Sequence, residues 1–180
     1  MKQLMVFGLV AALMAGCAMP ARVDQMSSRS MQQAQPGHPY RAAVGVGEVT
    51  GGSATNPLWT SQIGSADFAQ ALVVSLDRVG LGAPADRAAY QLQATLEKVD
   101  QPLIGLSMTV TAQVRYVLSE KQGGRVLFEK VVSQPYTAQF SDAFLGFERL
   151  RLANEGAARV NIEQVLETLL QLGVSGVSVK

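Results

Sequence analysis

One cysteine, Cys17, and one histidine, His38, are all that the chain has of either type. A lone cysteine excludes an intramolecular disulfide, and a lone histidine excludes a multi-histidine metal centre. With Cys17 near the N-terminus and His38 in a polar segment, the body of the chain has no Ser-His or Cys-His pair to build on. Charged residues make up only 16%, and 15 basic against 14 acidic residues leave a net charge of +1. That excludes a basic field for nucleic acid and a polybasic patch for anionic lipid. Internal repeats are missing. So is a nucleophile elbow, because "GLSMT" (105–109) lacks the last glycine of G-x-S-x-G. Gly45 and Gly47 begin a dinucleotide fingerprint whose third glycine falls on Thr50, and both sit within a strand pattern. The acyltransferase spacing His-x4-Asp fails as well, since position 43 is Ala43. The expectation is a non-enzymatic protein with no catalytic residues and no metal.

What is present begins at the N-terminus. Lys2 is the only charge before Cys17, and "LMVFGLVAALMA" (4–15) is an unbroken run of apolar residues and glycine. Twelve residues are too few to span a bilayer, which takes about 20. A positive start, a short apolar stretch and small residues at its end describe a secretory signal peptide, here 1–16, which is removed.

The run "LMAGC" (13–17) resembles the lipobox of bacterial lipoproteins. The resemblance implies cleavage between Gly16 and Cys17 and a thioether-linked diacylglycerol on the Cys17 sulfur, followed by a further acyl chain such as palmitate. It also implies, from Ala18 in place of aspartate, sorting to the periplasmic face of the outer membrane of a Gram-negative cell. Beyond this covalent lipid no cofactor is expected. Each buried methylene contributes about 0.8 kcal/mol, so two or three acyl chains hold a protein on a membrane almost permanently.

Residues 18–41 are rich in Gln, Ser and Pro, without a helical or strand period. Together with Cys17 they are expected to form a flexible tether, spanning roughly 25–30 Å on average. His38 falls in it, and a mobile linker cannot preorganise a site around a histidine. A single domain is expected over 42–180. Residues 42–49 alternate Val with small residues, 90–97 and 108–118 alternate apolar with polar residues, and 125–138 is less regular and ends near Pro135, so four strands are predicted. "SADFAQALVVSLDRVG" (65–80) predicts a helix with Ser65 as N-cap, Gly80 after its end, and Phe68, Leu72, Leu76 and Val79 on one face. A long helix is predicted from Ser141 or Asp142 to Leu172. Its core seam is Ala158, Ile162, Val165, Leu169 and Leu172, and Arg151, Glu155, Arg159, Glu163 and Glu167 form a solvated ladder on another face. Gly156 in mid-helix predicts a close approach to the sheet or a break. The fold class is therefore α+β: a four-stranded, mostly antiparallel sheet with two helices on one face, in the order β-α-β-β-β-α.

This order, with lipobox and tether, resembles small outer-membrane lipoproteins of the ABC-transport auxiliary and lipopolysaccharide-assembly type. Such proteins act by binding. The implied function is an accessory of an envelope transport or assembly system, with the membrane and another envelope protein or complex as partners and no nucleic acid. A periplasmic lipid carrier is the alternative, and an enzyme such as an acyltransferase with an unrecognised site is a third. Candidate contact residues are Leu58, Trp59 and Ile63 in the loop "TNPLWTSQI" (55–63), with Tyr136 and Phe140 in "SQPYTAQFSDAFLGF" (133–147).

Overall fold

The computed structural model describes residues 19–55 and 61–175. Four strands, β1 (Val44–Gly51), β2 (Tyr90–Asp100), β3 (Met108–Glu120) and β4 (Val126–Ala138), pair in that spatial order. β2, β3 and β4 pair antiparallel through short connections, whereas β1 runs parallel to β2. A parallel pair needs a crossover, and the helix Ser65–Arg78 supplies it. The alternating residues of β2 and β3 separate as their pattern requires. Leu92, Ala94, Leu96, Val110, Ala112, Val114, Tyr116 and Leu118 are buried, while Gln93, Thr95, Thr109 and Arg115 face outward. Both long helices lie on the dry face. The crossover helix buries Phe68, Leu72 and Leu76, each contributing roughly 2 kcal/mol relative to exposure.

Local boundaries follow simple chemistry, with three adjustments. Gly64 rather than Ser65 is the N-cap of the crossover helix, with no side-chain cap. Its C-terminus closes as a Schellman motif: Gly80, at φ +74, donates to Asp77 O, and Leu81 donates to Leu76 O. The last helix begins at Gly146, not at Ser141 or Asp142, and extends to Ser175. Gly123 and Gly124, both at positive φ, turn β3 into β4.

The segment expected to be a tether is folded. After Met19 and Pro20 the chain joins the body at Ala21, which is buried, and a single helical turn, Val23–Met26, follows. In chain order the helices are thus α1 (Val23–Met26), α2 (Ser65–Arg78) and α3 (Gly146–Ser175). Residues 21–41 form a strap over α2 and α3, with Met26, Ser27, Ser28, Ala34 and His38 buried. The backbone N–H and Nε of Arg22 donate to Glu155 Oε1 at 3.1 and 3.0 Å. Arg159 Nη1 donates to Gln25 O at 2.8 Å, and the Arg29 N–H donates to Glu163 Oε1 at 2.8 Å. Across α2, the Ser28 N–H donates to Ser75 Oγ at 2.8 Å, and the Ala34 N–H donates to Val79 O at 2.8 Å. At the far end His38 Nδ1 accepts from the Tyr40 N–H, so Nε2 carries the proton given to Leu170 O at 3.0 Å.

The charged ladder of α3 therefore differs from expectation. Arg151 and Glu155 do approach at 3.7 Å, but Glu155 is 1% exposed and its main partner is Arg22. Glu155, Arg159 and Glu163 are spaced one turn apart, and each turn meets the next part of the strap. At Gly156 α3 packs directly against the sheet. A Cβ there would stand 2.1 Å from the Tyr136 ring, and the Arg159 guanidinium lies 5.3 Å from the centroid of that ring. Buried Asn161 adds a polar pin, accepting from Tyr116 Oη at 2.8 Å and donating to Ala112 O and Val132 O.

Glu155→Ala strips Arg22 of three charge-assisted bonds and lowers stability by about 2 kcal/mol, read as a lower urea midpoint at unchanged slope. The same variant is cut faster by protease within residues 21–41; equal rates would restore the flexible tether. Gly156→Ala lowers the melting temperature although alanine favours helix by about 1 kcal/mol, because the methyl has no room beside Tyr136.

Candidate functional site at the apolar end of the domain

Two loops meet at one end of the sheet. Residues 101–107 join β2 to β3, and residues 139–145 join β4 to α3. They adjoin because Met108 and Ala138, the strand residues next to them, are paired. Leu103, Ile104 and Leu106 are 95%, 88% and 78% exposed, and Phe144 is 79% exposed. Phe140 and Leu145 are about half exposed, and Phe140 meets Phe144 edge-on with ring centroids 5.6 Å apart. A single exposed leucine is ordinary on a protein surface. Six large apolar side chains on two adjoining loops make a patch of roughly several hundred Å², the size that marks an interaction surface.

The loops are held in this arrangement by an arginine in an unfavourable place. Arg149 lies in the first turn of α3, where the helix dipole disfavours a cation. It is nevertheless buried. Nη1 donates to Ala143 O and Phe144 O at 2.7 Å each, and Nη2 donates to Gly105 O at 3.2 Å. Its guanidinium also stands 5.1 Å from the Phe140 ring. Among the described residues no carboxylate forms an ion pair with it. One buried cation thus staples both loops through their carbonyls, which leaves their apolar side chains pointing away.

The chain joins the fold at this same end. β1 and β2 run parallel, so Gly51 and Asp100 finish at the same end of the sheet, and Pro20 lines a hollow with Gly51 and Gly52. The Ala21 N–H donates to Gln62 O at 3.4 Å. Gln101, the first residue of the apolar loop, donates through Nε2 to Ser61 O at 3.2 Å and to Asn154 Oδ1 at 2.7 Å.

The residues singled out from sequence separate accordingly. Gly16, Cys17, Leu58 and Trp59 lie outside the described residues. Ile63 is not a contact residue: it is fully buried in the core. Tyr136 is not free either, being half-buried against Gly156 and Arg159 of α3. Phe140 alone of the described candidates belongs to the exposed end. Periodicity does not single out "PLIGL" (102–106), although three large apolar residues in a loop between two cleanly alternating strands are a usable signal.

The opposite face of the sheet is polar and tied together across strands. Arg115 bridges Glu97 on β2 and Glu129 on β4 at 2.7 Å each, Gln113 donates to Glu97 at 2.8 Å, and Thr109 meets Thr137 at 2.8 Å. Hydrogen bonds from Gln113 and Arg115 hold the Glu97 carboxyl below its ordinary range, and Glu129 and Glu97 raise the Arg115 guanidinium. Among the described residues no group of three or more His, Cys, Asp or Glu is placed to hold a metal ion, and no helix is long and apolar enough to cross a membrane.

No protein-family model matches the sequence, and a search of curated proteins finds no match. Solved structures do share the fold. A Xanthomonas campestris protein of family DUF330 superposes with a TM-score of 0.57 at 14% identity, covering 84% of this chain and 98% of its own. A minor lipoprotein from Acinetobacter baumannii gives 0.52 at 13% identity, covering 73% and 94%. A hypothetical protein from Chlamydia trachomatis gives 0.51 at 9% identity, covering 76% and 99%. At these identities the likeness is one of fold, and that fold is found in bacterial lipoproteins.

The Glu97 bonds carry a pH dependence with a defined sign. A carboxyl whose folded pKa lies below its unfolded value near 4.5 stabilises the fold fully above that value, and less as pH falls through the folded pKa. Urea midpoints measured from neutral to acid pH therefore fall below about pH 4.5 in the wild type, and fall less steeply in Glu97→Gln.

Proposed function

We propose that this protein is a non-enzymatic, membrane-anchored lipoprotein of the Gram-negative envelope, acylated at Cys17 and held at the periplasmic face of the outer membrane. The supporting observation is the spacing between the lipobox and the fold. Ala21 is already buried, so only Ala18, Met19 and Pro20 separate the Cys17 position from the body, a reach of at most about 14 Å from Cα to Cα. A chain of this design is confined to a thin layer beside its membrane, which raises its effective concentration for any neighbour in that layer. Its role is an accessory one in an envelope transport or assembly system, exerted by contact. The polar sheet face, organised by Arg115 and turned away from the helices, is the surface offered to a partner protein. The occurrence of the fold in a lipoprotein of Acinetobacter baumannii agrees with this reading.

A lipid-carrying role has one feature in its favour. Val126, Leu127, Phe128 and Leu172 line a groove of about 480 Å³ between the start of β4 and the end of α3, within the size range of small-ligand sites. Lipid co-purifying with the chain in native mass spectrometry, and lost in Phe128→Ser, supports that role.

Cells grown with labelled palmitate incorporate label into the wild-type chain and none into Cys17→Ser, which is released from the membrane fraction. A wild-type product that is unlabelled and freely soluble defeats the proposal.

A further inference from the structure

The apolar end, the short leash and the position of the N-terminus together define an orientation. We infer that loops 101–107 and 139–145 seat directly in the lipid surface to which Cys17 is attached, so that the domain stands end-on to the bilayer. The inference rests on the acylation reading for its direction, and on four features of the described structure for its substance.

The leash is the first feature. The four Cα steps from Cys17 to Ala21 reach at most about 14 Å, so the bilayer lies close to the end at which Ala21 joins the fold. Placement is the second. Gln101 bonds to Ser61 O beside Gln62, the residue that binds the Ala21 N–H, so the apolar loop starts where the leash ends. Chemistry is the third. Leu103, Ile104 and Leu106 project from one loop and Phe140, Phe144 and Leu145 from the other. Side chains of this kind enter the headgroup and acyl boundary when an anchor has already removed the cost of bringing the protein there. Charge is the fourth. The loops carry one formal charge, Asp142, whose Oδ2 accepts from the Gln139 N–H at 2.7 Å. Arg149 is buried against carbonyls, and the flanking Lys98 and Asp100 pair with each other at 2.8 Å. The seat is therefore apolar and not electrostatic, and added salt does not release it.

The arrangement leaves the polar sheet face standing away from the bilayer surface, where Glu97, Arg115 and Glu129 remain in water. It also gives Arg149 a purpose that packing alone does not: it satisfies three loop carbonyls, at Gly105, Ala143 and Phe144, beside the apolar side chains that meet lipid.

Brominated lipid tests the inference. The mature chain from residue 17 is coupled through Cys17, its only thiol, to a maleimide lipid in phosphatidylethanolamine–phosphatidylglycerol vesicles, so the anchor is present whether or not cells supply it. With Trp59 replaced by phenylalanine, Phe144→Trp places a reporter in the seat and Val131→Trp places one on the sheet. Bromination of the acyl chains is expected to remove about half of the emission from position 144 and almost none from position 131, at low and high salt alike. Equal quenching at both positions, or none at 144, overturns the inference. Hydrogen exchange on the unsubstituted chain tests the same seating without these variants: coupling slows amides of 101–107 and 139–145, and unchanged rates there count against it. An oligomer that Leu103→Ser converts to monomers also overturns it, because a second copy then covers the patch. Because the anchor is supplied chemically, failure here stays distinct from failure of palmitate labelling in cells.

Discussion

The contact between Gly156 and the Tyr136 ring sets how near α3 lies to the sheet, and most of the molecule is arranged around that helix. Because the helix is so close, Asn161 reaches backbone carbonyls of two strands and the hydroxyl of Tyr116. From its outer side Glu155, Arg159 and Glu163 bind the strap, and from its first turn Arg149 binds two loops. A larger residue at position 156 would lift α3 and disturb all of these together.

Polar chemistry shapes this protein in two different ways. The interactions with a buried partner, half-exposed Arg22 with buried Glu155 and buried Arg149 with three carbonyls, fix segments that have little hydrophobic surface of their own. The exposed network around Arg115 crosses three strands on a wet face, where solvent screens it and each pair adds little to stability. The first kind decides where chain segments go. The second gives the sheet a polar, patterned surface without closing it to partners.

The sheet and both long helices are legible in the sequence because their residues obey a period: two for β2 and β3, and 3.6 for the Phe68–Leu72–Leu76 face. Gly156 is legible too, as a residue with no helical reason to be there. The strap is not. Its partners on α3 lie more than 130 residues away in sequence and those on α2 more than 40, and they bind its backbone N–H and C=O groups, which every residue possesses and no composition reveals. His38 escapes a sequence reading for the same reason, since it is fixed by a carbonyl of α3. The exposed end is partly visible: Phe140 stands out as an aromatic, whereas Leu103, Ile104 and Leu106 form too short a run to show a period.

The strap runs alongside α3 in the same direction, from Arg22 at Glu155 to His38 at Leu170. A tug on a lipid at Cys17 would therefore load those attachments in shear, many at once, instead of peeling them open one by one. Such a joint resists extraction far better than its modest individual bonds suggest, so that, if the chain is anchored as proposed, a pull on its N-terminus does not unravel it from the front.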